Sequence, residues 1–165
     1  MGADAARGPA KDVPELQVLE HWVGTWDDDV TFKPNADLPR GRHAKGSVTA
    51  DWILDGRFVQ QSATLEPDDD APAMKVTMLM TYDAQKKVYR SWMFFSSGVV
   101  RELEGQWDAK SRAMTSTSRD AQTGGTMTVT ATFAEDGVER WTIVEKDRDA
   151  KVLAEITGTN TRRRK

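Results

Sequence analysis

The chain has 165 residues, a length ordinary for one domain, and its formal net charge is only −3. Because so small a charge creates no strong overall field, we expect neither a nucleic-acid nor a membrane partner. The absence of cysteine excludes disulfides, thiolate metal sites and a cysteine nucleophile.

The two ends of the chain differ from its middle. We predict a disordered lead at residues 1–12, a single domain at residues 13–161 and a basic tail at residues 162–165. Residues 1–10 lack the basic start and apolar run of a signal peptide. We therefore expect either a cytoplasmic protein or an exported one whose leader has been removed.

A short amphipathic helix is predicted to begin at Pro14, because proline is favoured in the first helical turn. Leu16, Leu19 and Trp22 form its apolar stripe, and Gly24 ends it. Since so short a helix is marginal alone, we expect it to pack against the end of a sheet.

From residue 25 onward the apolar period changes to two, and about ten alternating segments follow. Turn signals such as Asp55-Gly56 separate them, and nearly every connection is short enough for a hairpin. Consecutive hairpins form a meander whose closure removes its edges. We predict an all-β fold: a closed antiparallel up-and-down β-barrel of about ten strands with a short N-terminal helix. A Greek-key sandwich is the alternative, but it needs longer crossovers.

The sequence motifs resemble a known bacterial family. They are LEHWVGTW at residues 19–26, WILDGRF at 52–58, TYDAQKKVYRSWMF at 81–94, EGQWD at 104–108 and the pair Gly124-Gly125. The chain is similar to the lipocalin-like family known as domain of unknown function 1579, in the calycin superfamily. That resemblance implies a calycin-type barrel and no established activity. Haem-binding relatives use a histidine on a late strand, and this chain has none after His43, so we expect no haem and no other cofactor.

Methionine and tryptophan are concentrated on the predicted inner faces, where they would either line a cavity or fill it. Alternation also places Arg90 with Trp92 and Phe94, and Arg101 with Leu103. A buried guanidinium needs a partner, which an internal acid or a ligand carboxylate could supply. A guanidinium near the rim of the barrel would instead reach water. We predict these ligand-binding residues: Met78, Met80, Tyr82, Arg90, Trp92, Arg101, Trp107, Met127 and Trp141.

The leading functional hypothesis is a non-enzymatic binder of a small hydrophobic or amphipathic ligand, including one that bears a carboxylate. One alternative is a cyclase or isomerase in which Tyr82 or an internal acid such as Asp28 moves a proton. Another is a protein-interaction module, including a homodimer of paired barrels, that uses the threonine face of residues 126–132. No nucleophile elbow, phosphate loop or dinucleotide fingerprint is present. We predict no catalytic residues, and we expect no metal at His21, His43 or the acidic run 27–29.

Overall fold

A computed structural model describes residues 8–69, 71–134 and 137–163. Within these residues one 3₁₀ helix, Pro14–His21, precedes ten β-strands. No helix in this part of the chain combines the length and the apolarity needed to cross a bilayer. The strands are β1 (Gly24–Phe32), β2 (Arg42–Ile53), β3 (Phe58–Leu65), β4 (Met74–Asp83), β5 (Val88–Phe95), β6 (Val100–Asp108), β7 (Ala113–Arg119), β8 (Thr126–Phe133), β9 (Val138–Lys146) and β10 (Val152–Arg162).

The strands form one closed antiparallel barrel. Each strand pairs with its neighbours in the chain, and β1 also pairs with β10. In that closing pair Asp28 lies opposite Asn160 and Val30 opposite Gly158. The predicted up-and-down barrel with a short N-terminal helix is therefore confirmed, and the sandwich alternative is excluded.

The helix covers one end of the barrel. The Leu16 amide donates to the Val13 carbonyl, and the Trp22 amide to the Leu19 carbonyl, each at 3.1 Å. This three-residue period aligns Leu16, Leu19 and Trp22 on one side, where all three are buried against side chains of the barrel. The helix ends at His21 rather than beside Gly24, which is already the first residue of β1.

Trp26 and Arg162 hold the helix end to the closing strand pair. The Trp26 indole Nε1 donates to the Trp22 carbonyl at 2.9 Å. The Arg162 guanidinium lies 4.1 Å from the centre of a Trp26 ring, and its Nη2 donates to the His21 carbonyl at 3.1 Å. Gly24 has a φ of +134°, which residues with a side chain rarely adopt, and an added Cβ would lie 2.6 Å from Arg162 Nη1, so this position favours glycine.

Part of the predicted lead contacts the barrel. Residues 1–7 lie outside the described residues, whereas the Ala10 amide donates to the Gly56 carbonyl at 3.0 Å. Arg57 Nη2 also lies 2.8 Å from Asp12 Oδ2. Residues 8–12 therefore lie against the turn between β2 and β3.

The predicted basic tail begins inside a strand. Arg162 is the last residue of β10 and pairs with Trp26. Arg163 Nη2 lies 2.6 Å from Asp27 Oδ1, and residues 164–165 lie outside the described residues. The first two basic residues of this segment thus have defined partners on the barrel.

The side chains of β5 face the opposite way from the prediction. Tyr82 lies opposite Tyr89 and Met80 opposite Ser91. Because directly paired residues share a face, the odd-numbered residues of β5 continue the inner face of β4. Arg90, Trp92 and Phe94 consequently face outward. The alternation of β5 was misleading because large side chains occupy both of its faces.

We predict that Trp26→Phe lowers the free energy of unfolding by about 2–3 kcal/mol, because it removes a buried hydrogen bond and part of a well-packed ring. Trp92 offers a matched control, since it also lies beneath an arginine but on the outer face. Trp92→Phe should cost less than about 1 kcal/mol. Urea denaturation of both variants gives the comparison, and equal losses would contradict the assigned role of Trp26.

Candidate functional site

The barrel contains a cavity with a volume of about 210 Å³. Leu19 and Trp22 close it at the helix-covered end, and inward side chains of the strands form its sides. The wall is mostly apolar, and methionine is prominent in it. Its methionines are Met74, Met78, Met80, Met93 and Met114.

A row of three polar side chains crosses the wall. Asp28 on β1 lies opposite Asn160 on β10, which in turn lies opposite Glu139 on β9. All three line the cavity and are buried, with 7%, 3% and 4% of their surface exposed, respectively. Asn160 Nδ2 donates to Glu139 Oε2 at 2.7 Å. We call these residues the polar row.

Both carboxyl groups of the polar row hold a proton to a higher pH than exposed carboxyl groups do. Burial raises the pKa of Asp28 to about 6, and a hydrogen bond from Trp141 partly opposes the change. Burial likewise raises the pKa of Glu139 to about 7; the Asn160 hydrogen bond opposes this, and the nearby Asp28 adds to it. Near neutral pH the row can therefore hold or release a proton.

Gly158 on β10 makes room for the side chain of Trp141, which lies beside the polar row. It lies directly opposite Trp141, and an added Cβ would collide with the Trp141 ring. Because no side chain intervenes on β10, the indole of Trp141 lies over Gly158 and forms part of the cavity wall. Trp141 also lowers the pKa of Asp28, which opposes the effect of burial.

Four of the predicted ligand-binding residues line the cavity: Met78, Met80, Arg90 and Trp141. The guanidinium of Arg90, however, is directed to outward-facing partners. It bonds to Glu102, lies 3.7 Å from Asp83 and stacks 4.9 Å from the centre of a Trp92 ring. The expectation that Arg90 shares an inner face with Trp92 is wrong, because the register of β4 with β5 turns both residues outward.

The other predicted residues do not line the cavity in the described part of the chain. Tyr82 packs near Tyr89 with ring centres 5.0 Å apart, and Trp107 stacks on His21 at 5.2 Å. Met127 packs with Met93 and Leu103, both of which line the cavity, but does not line it itself. Arg101 Nη1 donates to the carbonyl of its neighbour Val100 at 3.3 Å. Ligand contact by any of the nine residues stays a prediction.

Asp28 was expected inside the barrel and is there. Three further residues were not identified from the sequence: Asn160, Glu139 and Gln61 of β3, which also lines the cavity. Glu139 is a polar residue on the face of β9 that Trp141 and other apolar residues occupy. Asn160 occupies the same kind of position on β10, beyond the predicted part of that strand. A polar residue at an inward-facing position of a strand was therefore the sequence signal that could have identified these site residues.

The histidines lie away from the cavity wall. His21 stacks between Trp107 and Phe133, with ring centres 5.2 and 5.1 Å away. His43 Nε2 lies 2.7 Å from Asp29 Oδ1 on the exposed outer surface. Across the described residues no group of three or more histidine, aspartate or glutamate side chains could hold a metal ion.

The predicted threonine face lies on the outside of the barrel. Its four threonines, at positions 126, 128, 130 and 132, alternate with inward-facing residues of β8. Thr128 Oγ1 lies 3.4 Å from Thr117 Oγ1 on β7, so the hydroxyl groups continue onto the next strand. Its role as an interface, including one between two copies of the chain, stays a prediction.

We predict that Glu139→Gln flattens the pH dependence of stability. A carboxyl whose pKa is raised by folding stabilises the protein fully below its unfolded pKa, 4.5 for glutamate, and this contribution is lost as the pH rises through about 7. The loss for Glu139 is about 3 kcal/mol. Denaturation between pH 4 and 8 should therefore show a smaller loss of stability in the variant than in the natural chain, and the loss that remains in the variant comes from Asp28, whose pKa is also raised. Glu104→Gln, at an exposed position, should keep the natural slope; parallel curves for all three proteins would refute the assignment.

Solved structures show the same fold. The chain superposes on Rv2717c from M. tuberculosis with a TM-score of 0.70 and 12% identity, covering 92% of this chain and 99% of that one. It superposes on the S-type phycobiliprotein lyase CPES from Guillardia theta with a TM-score of 0.64 and 13% identity, covering 93% and 94%. At these identities the likeness establishes the fold alone.

Comparison of sequences identifies the family. No curated protein matches the chain. A family model described as a protein of unknown function, DUF1579, matches residues 11–148. That match covers most of the barrel, from the helix to the end of β9. The chain therefore belongs to the DUF1579 family, as its motifs predicted.

Proposed function

We propose that the protein binds a small apolar or amphipathic molecule inside the barrel. The observation that carries the proposal is the cavity itself, an interior space of about 210 Å³ with a mostly apolar wall. Burial of apolar ligand surface there contributes about 25 cal/mol per Å², from which the cost of ordering the ligand is subtracted.

The dimensions of the cavity favour a compact ligand. Its volume of about 210 Å³ lies below the range of roughly 300–1,000 Å³ of pockets for drug-sized molecules. The methionines of the wall add adaptability, because an unbranched thioether side chain changes shape at little cost. A short alkyl chain or a single aromatic ring system is the class of ligand that matches this space.

The placement of charge does not favour a carboxylate on the ligand. Arg90 pairs with Glu102 and Asp83 outside, whereas Asp28 and Glu139 are buried inside. A ligand carboxylate at the polar row would meet these acids. Arg101, which pairs with the cavity-lining Met93, shares the inner face of β6 but does not line the cavity. The amphipathic ligand is therefore proposed without the carboxylate anchor.

The polar row also favours a second candidate function, an enzyme that isomerises or cyclises a small apolar substrate. Glu139, with its pKa raised to about 7, has the property of a general acid or base in a site that excludes water. In this candidate Glu139 and Asp28 replace Tyr82 as the proton-transferring groups. A product formed in an extract screen, and lost in Glu139→Gln, would support it; turnover unaffected by that variant would exclude these groups.

We predict that 1-octanol binds to the protein with one-to-one stoichiometry and that Ala63→Phe weakens this binding at least tenfold. Ala63 lines the cavity, so a phenyl ring there occupies ligand space. Ser62→Phe adds the same ring at the next residue, which is exposed, and should leave the affinity unchanged. Calorimetric titration measures all three proteins, with thermal melting as the check on folding. No saturable octanol binding, or equal affinity in Ala63→Phe, would contradict the proposed function.

A further inference from the structure

Building on the proposed function, we infer that the natural ligand has a basic nitrogen in its head group and that this protonated amine binds to the polar row of Asp28, Asn160 and Glu139. The apolar part of the ligand then extends away from the helix, toward the opposite end of the barrel. The inference rests on unused acceptors, on the distribution of charge and on the position of the row.

The cavity wall presents hydrogen-bond acceptors that the protein leaves unused. Within the described residues, Asp28 Oδ1, Asn160 Oδ1 and Gln61 Oε1 are buried and have no hydrogen-bond donor. All three residues line the cavity. Since buried polar atoms are nearly always partnered, three orphaned acceptors around one space indicate a partner that brings donors. An ammonium group has three N–H donors and no acceptor.

Two of these acceptors are close enough to share one head group. Asp28 and Asn160 are direct cross-strand partners, and such pairs place their Cβ atoms about 4.5–5.5 Å apart. Glu139 follows on the next strand and already accepts the Asn160 side-chain amide at 2.7 Å. That bond orients the amide so that Asn160 Oδ1 remains available to a donor.

The charges select a cation over an anion. Two carboxyl groups are buried in the row. Arg90, the basic residue among those that line the cavity, has its two Nη atoms beside Glu102 and Asp83, and its buried Nε has no acceptor. A protonated amine would form charge-assisted hydrogen bonds with the row. A carboxylate would instead place a third acid beside Asp28 and Glu139 in a site of low polarity.

The position of the row sets the direction of the ligand. Glu139 lies directly opposite Phe133, whose ring packs against that of Trp22 with ring centres 4.6 Å apart, so the row lies near the covered end of the cavity. The remaining wall toward the other end is apolar, with Met74, Phe95 and Ile156 among its residues. A head group at the row therefore leaves the tail surrounded by apolar side chains.

Three probes with the same eight-carbon tail test this inference: octylamine, 1-octanol and octanoate. Calorimetric titration at pH 7 should show octylamine binding at least tenfold more tightly than octanoate, with octanol between them. The double variant Asp28→Asn with Glu139→Gln should bind octanol with little change and lose the preference for the amine. Asp28→Asn alone, which keeps Asn160 and Glu139 together, should lose part of it.

The control carries the same two chemical changes on the outer surface. Asp51→Asn with Glu104→Gln alters exposed residues, so the amine preference should remain. Octanol binding without an amine preference, or a preference that survives in the Asp28 and Glu139 double variant, overturns this inference and leaves the proposed function standing. Failure of all three probes to bind overturns both.

Discussion

The pairing of β1 with β10 is the constraint on which the rest of the structure depends. Without it the sheet has two open edges and no interior. Trp26 on β1 and Arg162 on β10 stack on each other and bond to the end of the helix, so closure of the sheet and covering of one barrel end occur together. The same strand pair brings Asp28 opposite Asn160. One contact region thus determines the enclosed space and the position of its polar groups.

Most of the fold follows from local sequence signals. Two-residue alternation and short turns predicted the strands, and the spacing of Leu16, Leu19 and Trp22 predicted the helix. The orientation of β5 could not be predicted in this way, because alternation gives two equivalent faces and large residues occupy both. Only its pairing with β4, which places Tyr89 opposite Tyr82, decides which face is inside. A physical argument could have corrected the choice, since burying Arg90 unpaired would be costly.

The site was less predictable than the fold for a related reason. The polar row joins residues from both ends of the sequence, and its geometry depends on the registers of two strand pairs. Asp28 was expected inside, whereas Asn160 lay beyond the predicted extent of β10. Gly158 shows the same limit: its importance arises only from the Trp141 ring that lies opposite. Alternation identifies inward residues but not which of them meet.

We propose that the barrel interior has two parts, an apolar wall that holds the body of a ligand and a polar row that orients its head group. A crystal structure of the protein grown with octylamine tests this description most directly. The account predicts one octylamine in the cavity, with its nitrogen about 2.7–3.2 Å from oxygens of Asp28, Asn160 or Glu139 and its chain directed toward Ile156. Octylamine bound only on the outer surface, or bound inside with its nitrogen away from the row, would contradict it.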